Sequence, residues 1–241
     1  MTSDFLFEPP LVLGPNGGQA SVNFPIMLRI YSSVSDKTEL YRLRYRAFRD
    51  AGWIDEHPEA ELADHFDRLA SSFSIGAFHN GDCVGSLRLA LGGAGLPRNA
   101  MPCEEQFSKE VETLIASGNR RLIEFSRMAV EPTLNNNSFR TTLYASLVRA
   151  AFLLSYAARV DVGLLAVHKK LSIFYQRMCG FRVLGTCSSY GEILEPTVFL
   201  GREFRELDHR RKQRNTFFAV SSEEIESARK VLTAAQCQAA A

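Results

Sequence analysis

The pattern of hydrophobic and polar positions divides the first half of the chain into strands and helices. FPIMLRIY, residues 24–31, has the length and apolar content of a strand, and Ser35-Asp36 then precede a helix that runs to about Gly52. Two apolar segments flank HNGD, residues 79–82, and the Asn-Gly pair is a strong hairpin signal. The interrupted acidic stretch 54–70 predicts a loop with one short helical turn.

The second half predicts alternating strands and helices. RLIEFSRMAV has the character of a central strand and stops before Pro132, and residues 138–159 carry apolar positions at helical spacing. The segments that follow are a strand at 162–168, a short helix at 169–179, strands at 180–187 and 195–204, and a capped helix from Ser221, while 92–118 is a loop followed by a helix. The order predicts one α/β domain with an antiparallel first half and a strand–helix–strand crossover.

Length and composition add bounds on the class of protein. The 241 residues fit one elaborate domain, and 46% hydrophobic with 23% charged residues is typical of a globular protein. A net charge of +1 disfavours a polybasic nucleic-acid binder. We expect an irregular lead-in over 1–24, a domain over 25–205, and a basic segment with a C-terminal helix over 206–241.

The cysteines and the N-terminus predict the compartment. Five cysteines form an odd set without any CxxC pair, so we expect free thiols and no metal site. The N-terminus has neither a basic start nor a continuous apolar core, and no apolar run approaches the roughly 20 residues of a membrane span. These features predict a cytoplasmic protein without a transmembrane segment.

The segment from MAVEP to FYQRMCGFRVLG resembles the GCN5-related N-acyltransferases. In that fold a Phe-Tyr pair lies on a short helix and a Gly-Phe turn leads into the next strand, here Phe174-Tyr175 and Gly180-Phe181. The resemblance implies a mixed, twisted sheet flanked by helices, and a Tyr175 hydroxyl that protonates a leaving thiolate. The alternative is that Phe174 and Tyr175 are core residues.

One departure from that family concerns the acyl donor. Members that use coenzyme A have a glycine-rich turn whose N–H groups hold the pyrophosphate, whereas TLNNNSFRTTL, residues 133–143, contains no glycine. We therefore expect no bound cofactor and favour an acyl-phosphopantetheine delivered by acyl carrier protein over acyl-CoA.

Motifs in the first half narrow the resemblance. LRYRAFRDAGW (43–53), DHFD (64–67), GSLRLAL (85–91) and EFSR (124–127) resemble, in order, the acyl-homoserine-lactone synthases and, more closely, the related FeeM-type N-acyl amino acid synthases. The positions that match are Arg44, Phe48, Trp53, Asp64, Asp67, Arg88, Glu124 and Arg127. The Phe48-to-Trp53 interval is one residue short, and Leu87 replaces the family tryptophan, which favours an amino-acid acceptor over S-adenosylmethionine. A lactone synthase and a non-catalytic carrier-binding module are the alternatives.

Acylation of an amino acid requires three kinds of group. A carboxylate accepts the ammonium proton directly or through water, and Glu124 beside Phe125 is our candidate, with its basicity raised by desolvation. A planar guanidinium, Arg44 or Arg88, is suited to the acceptor carboxylate. Main-chain N–H groups near Met128–Val130 would stabilise the oxyanion.

Several of these residues have structural alternatives. Glu124 and Arg127 are three positions apart and lie on opposite faces of a regular strand, so a bulge is required to bring them together. Asp64 and Asp67 would bind the substrate ammonium or pair with the arginines. Phe48 and Trp53 would pack or close the donor-side pocket. We expect the strands to separate around 124–130 and 162–167, where Phe125, Met128 and Val130 line an acyl tunnel.

Basic residues provide candidate contacts with an acidic carrier protein. The candidates are Lys169, Lys170 and Arg177, with Arg210 and Arg211 in the run HRRKQR. Because acyl carrier proteins are acidic, these residues would steer association, although a solvated loop is the alternative for the run. His168 is expected to cap the short helix or to pack against it, with a general base as the alternative.

Overall fold

Eight strands form one mixed sheet in a computed structural model that describes residues 2–7, 26–32, 35–191, 195–204 and 220–240. The strands are β1 Thr2–Phe7, β2 Ile26–Tyr31, β3 Ser72–His79, β4 Asp82–Gly93, β5 Arg121–Val130, β6 Val162–His168, β7 Arg182–Cys187 and β8 Thr197–Glu203. The helices are α1 Thr38–Asp50, α2 Glu104–Ala116, α3 Asn137–Ala157, α4 Lys169–Cys179 and α5 Ser222–Ala240, with a 3₁₀ turn at His65–Arg68.

The strand order is β1-β2-β3-β4-β5-β6-β8-β7, and β5 and β6 are the parallel pair. A parallel pair requires a crossover connection, which α3 provides. The first four strands form antiparallel pairs, and the β3–β4 hairpin turns at Asn80 and Gly81 with φ of +53° and +93°. Positive φ at both turn positions is the geometry that Asn-Gly favours, so the predicted hairpin is confirmed.

Helices cover both faces of the sheet because neighbouring residues of β5 point in opposite directions. Ile123 and Phe125 pack in the core formed with α3, whereas Leu122 packs with residues of α2. Asn136 caps α3, accepting a hydrogen bond from the Phe139 N–H over 3.0 Å. None of the helices in the described part of the chain combines the length and apolar character that crossing a membrane requires.

The N-terminal segment differs from the sequence prediction. Residues 2–7 form β1 and pair antiparallel with β2, from Thr2 opposite Tyr31 to Phe7 opposite Ile26, so this part of the expected irregular lead-in is a strand. The sequence TSDFLF is compatible with a strand, but its pairing with the edge of β2 cannot be predicted from the local sequence pattern. Residues 8–25 and the basic run near Arg210 lie outside the described residues, and the predicted C-terminal helix is α5.

A bulge and a separation of strands shape the centre of the sheet. Ser86 pairs with Ala129 and Arg88 with Ser126, so two residues of β5 oppose the single residue Leu87, and Arg127 has φ of +54°. The pairing of β5 with β6 ends at Phe125 opposite Leu165, while β6 continues beside β8. The strands therefore separate as predicted, but from residues 126 and 166 onward, not from 124 and 162.

Candidate active site

A cavity of about 460 Å³ occupies the region where β5 and β6 separate. Residues of α1, α3 and α4 complete its walls. One part is apolar and is lined by Phe125, Val148, Phe152, Leu165 and Phe181, and the other is charged and is lined by Asp64, Arg88 and Arg127. Phe125 and Ser126 point to opposite faces of β5, so the cavity passes through the gap in the sheet and joins an apolar region to a charged one. Phe125, Met128 and Val130, which the sequence predicted to line an acyl tunnel, all line this cavity.

The charged part of the cavity is organised by Asp64. Its Oδ1 accepts a hydrogen bond from Nη1 of Arg88 and its Oδ2 accepts one from Nη2 of Arg127, over 2.5 and 2.8 Å. Arg88 also donates to Ser126 Oγ over 3.0 Å. The bulge places Arg127 on the same face as Arg88, where both arginines donate to Asp64. Asp64 and Asp67 therefore pair with arginines, which is the ordering role foreseen for them.

Arg44 and Asp67 lie beneath this cluster and outside the cavity lining. Arg44 is fully enclosed and donates to Asp67 over 2.8 Å and to the hydroxyls of Ser86 and Ser74 over 3.0 Å each. With its three nitrogens bonded to protein, Arg44 is not available to an acceptor carboxylate. The predicted direct substrate contacts of Arg44 and Asp67 are therefore corrected to a supporting role, because both face the protein interior.

The pKa values of the charged residues reflect burial and their neighbours. Burial alone would raise the pKa of Asp64 and of Asp67, but Arg88 and the other adjoining arginines outweigh it and lower both pKa values. Lys37 donates to the main-chain oxygen of Asp67 over 2.6 Å, and burial lowers the pKa of Lys37 to about 8. Both carboxylates are thus ionised at neutral pH, whereas Lys37 titrates close to it.

Glu124 lies outside the cavity lining. It is 0% exposed, and its Oε2 accepts the Cys103 N–H while its Oε1 accepts the Tyr190 hydroxyl, each over 2.7 Å. Burial raises the pKa of Glu124, as predicted from its apolar neighbours. Direct contact between this carboxylate and a ligand in the cavity is blocked by Tyr190, which lines the cavity and donates to Glu124, so the expected proton acceptance would be indirect. Tyr190 follows β7, outside every matched motif, so the sequence carried no signal for it.

Tyr175 reaches the cavity from α4. Its hydroxyl shares a hydrogen bond with the Tyr144 hydroxyl and lies 3.9 Å from Met128 Sδ. Burial raises the pKa of Tyr175, so the phenol stays protonated at neutral pH. Its neighbour Phe174 is 39% exposed and packs edge-on against Tyr144, so the core interpretation of Phe174 was wrong.

Phe48 and Trp53 form the wall beside α1. Their rings pack edge to face with centroids 5.3 Å apart, and Trp53 stacks on His168 at 6.5 Å. All three line the cavity. His168 caps α4 as predicted, accepting the Lys170 N–H at its Nδ1 over 3.2 Å.

The outer face of α4 is both apolar and basic. Its exposed residues are Lys169, Lys170, Leu171, Ile173, Phe174, Arg177 and Met178. Leu171 also lines the cavity, so this face adjoins the cavity wall. Arg210 and Arg211 lie outside the described residues. Across the described ranges, no group of three or more His, Cys, Asp or Glu side chains is placed to hold a metal ion.

Comparisons with solved structures show which known folds this chain is similar to. The structure of FeeM, an N-acyl amino acid synthase from uncultured soil microbes, superposes with a TM-score of 0.61 at 19% identity, covering 75% of this chain and 92% of that one. The AHL synthase LasI gives 0.55 at 18% identity, covering 74% and 89%. The CoA-dependent acyl-homoserine lactone synthase BjaI gives 0.50 at 14% identity, covering 87% and 96%. None of the curated proteins compared by sequence matches the chain.

The fold is that of the GCN5-related N-acyltransferases, in a single domain, and the protein is an acyltransferase. The family model described as N-acyl amino acid synthase FeeM matches residues 39–203. The chain belongs to this family, as the ordered motifs indicated.

Proposed function

We propose that the protein transfers a medium- or long-chain fatty acyl group from acyl carrier protein to the amine of an amino acid. The observation that carries this proposal is the continuous cavity through the β5–β6 gap. Its apolar part, among Phe125, Phe152 and Phe181, is suited to an acyl chain. Its charged part, at Arg88 and Arg127, is suited to a carboxylate.

The N-terminus of α3 supports a carrier protein as donor over coenzyme A. A nucleotide pyrophosphate would use free N–H groups at this helix end, but Asn136 already accepts the Phe139 N–H. The basic side chains on the outer face of α4 complement the donor, because acyl carrier proteins are acidic. Lys169, Lys170 and Arg177 would steer the carrier, and the exposed apolar residues between them would bury surface on docking.

Two arginines on the cavity lining support an anionic acceptor. Arg88 and Arg127 both line the charged part, and each donates to Asp64 there. A planar guanidinium suits a carboxylate, so an acceptor carboxylate would bind at Arg88 and Arg127, and its α-amine would then point toward the gap in the sheet.

The transfer proceeds by attack of the neutral amine on the thioester carbonyl. The carbonyl oxygen becomes an oxyanion, which N–H groups between Met128 and Val130 stabilise along the edge of β5 that no longer pairs with β6. The C–S bond then breaks, Tyr175 donates a proton to the departing thiolate, and the attacking nitrogen loses a proton that restores the Tyr175 hydroxyl through solvent. The products are an N-acyl amino acid and free carrier thiol.

Product mass tests the proposal. The purified protein is incubated with acyl carrier proteins of several chain lengths and a mixture of the common amino acids, with acyl-CoA and S-adenosylmethionine reactions in parallel. We expect an N-acyl amino acid from the carrier reaction, at the mass of fatty acid plus amino acid less water. A lactone from S-adenosylmethionine would assign the protein to lactone synthesis. Carrier binding without thiol release would identify a non-catalytic module.

A further inference from the structure

Tyr190 is in contact with both the cavity and the buried Glu124. Tyr190 lines the cavity, and its hydroxyl donates to Glu124 Oε1 over 2.7 Å. Glu124 itself is fully buried and does not reach the cavity. A proton that leaves a substrate in the cavity can therefore arrive at Glu124 through the Tyr190 hydroxyl.

We infer that Tyr190 is a catalytic residue that passes a proton from the acceptor ammonium to Glu124, an inference that rests on the proposed function. The ammonium N–H gives its proton to the Tyr190 oxygen as the Tyr190 O–H proton moves to Glu124 Oε1. After the transfer the amine is neutral, Tyr190 is again a neutral phenol, and Glu124 is protonated. No co-reactant is needed, and Glu124 returns its proton to solvent between turnovers.

The hydrogen bonds of Glu124 leave one of its carboxylate oxygens, Oε1, in position to accept a proton from Tyr190. The Cys103 N–H fixes Oε2 over 2.7 Å, which leaves Oε1 facing Tyr190. Burial raises the pKa of Glu124 and so increases its basicity toward that of an amine. Burial also raises the pKa of Tyr190 well above its ordinary value, so the Tyr190 hydroxyl is protonated at neutral pH and has a proton to give to Glu124.

A packing role is the competing explanation for Tyr190. Its ring stacks on Phe107 with centroids 6.1 Å apart, and Phe107 in turn stacks on Phe199 at 4.4 Å. Tyr190→Phe keeps the ring and removes only the hydroxyl, whereas Phe107→Leu disturbs the stack and keeps the hydroxyl. The pair of variants therefore separates proton transfer from packing.

The first measurement is the pH dependence of kcat/KM for the acceptor amino acid. We expect Tyr190→Phe to lose about 10²-fold at pH 7 and progressively less toward the pKa of the acceptor amine, because an amine that is already free does not have to give up a proton before it attacks. Glu124→Gln should show the same profile, and the double variant should be no worse than either single variant. Phe107→Leu should keep the wild-type profile. A loss in Tyr190→Phe that is equal at every pH would overturn the inference.

The second measurement does not depend on product formation. The carboxyl band of Glu124 is followed by difference infrared spectroscopy against pH, with Glu124→Gln identifying the band. Because the Tyr190 hydrogen bond lowers the pKa of Glu124, its removal in Tyr190→Phe should move the titration midpoint upward. An unchanged midpoint would refute the relay whatever the acceptor is. A wild-type enzyme that forms no acyl amino acid, but whose midpoint does move in Tyr190→Phe, would instead contradict the proposed acceptor and leave the relay supported.

Discussion

Nη1 of Arg44 donates to Oδ1 of Asp67 over 2.8 Å, and both side chains are buried. Asp67 also accepts from Arg88 over 3.2 Å at its other oxygen, so one carboxylate joins α1 to β4 through the turn that carries it. Arg88 in turn holds Asp64 at the cavity. The geometry of the cavity surface therefore depends on a pair, Arg44 and Asp67, that does not line the cavity.

Asp67→Asn should destabilise the protein by about 3–5 kcal/mol, because it leaves the enclosed Arg44 without its counter-ion. The measurement is the free energy of unfolding in urea. Asp50→Asn, an exposed change at the end of α1, is the matched control and should stay within about 0.5 kcal/mol of the wild type. Equal stabilities for the two variants would contradict the structural role of Asp67.

Acid should weaken the fold through Asp64. The pKa of Asp64 is lower in the folded state than in the unfolded chain, so its stabilising contribution is present above the ordinary Asp pKa of about 3.9. That contribution is lost as the pH falls below this value toward the folded-state pKa. The free energy of unfolding, measured between pH 7 and 3, should fall more steeply for the wild type than for Asp64→Asn. Parallel curves would show that Asp64 is not coupled to folding.

The elements of the fold were predictable where the sequence pattern is local. The Asn80-Gly81 turn and the apolar spacing of α3 each specify their structure within a few residues. β1 was missed because a strand at an edge depends on a partner, β2, that is distant in sequence. The bulge at Arg127 was recognised as a requirement for joining two residues, but no sequence signal marks its positive φ.

The family motifs predicted which residues lie near the site. They did not predict which of those residues line the cavity and which are buried behind it. The motifs located Arg88, Arg127 and Asp64, but they do not separate a residue on the cavity from one behind it. Arg44 and Glu124 are both behind it, since burial depends on how helices from distant parts of the chain cover the sheet. Tyr190 lies outside the motifs and comes to Glu124 across 66 residues of sequence.

Tyr175→Phe should lower kcat by about 10²-fold with little change in the KM for the acyl donor, because it removes the proton that the departing thiolate takes. An aryl thioester donor, whose thiolate leaves without protonation, should restore most of the rate. Tyr144→Phe removes the partner hydroxyl and keeps that of Tyr175, so its loss should be smaller. A loss in Tyr175→Phe that is equal for both donors would indicate a positioning role.

The outer face of α4 should determine the KM for carrier protein. Ile173 is 54% exposed, and Ile173→Glu places a like charge against an acidic carrier, as does Lys170→Glu. Each should raise the KM for acyl carrier protein by at least about 10-fold, most strongly at low salt for Lys170→Glu, without changing kcat. Lys230→Glu on α5 is the charge-matched control and should leave the KM unchanged. Acyl-pantetheine, which lacks the protein, should react equally with all three variants; selective loss with that donor would refute docking on α4.

The apolar part of the cavity should set the acyl chain length. Phe152→Leu removes ring atoms from the cavity wall and should shift the products toward longer chains, whereas Val148→Leu adds a methylene and should shift them toward shorter ones. Phe73→Leu is the control, because it makes the same change in the core, away from the cavity. Both Phe→Leu variants should lose about 1–2 kcal/mol of stability, but Phe73→Leu should leave product length unchanged. The product distribution is read by mass spectrometry with an equimolar mixture of acyl donors. Opposite shifts from the two cavity variants require the chain to lie against both side chains, and an unchanged distribution in both would place the acyl chain elsewhere.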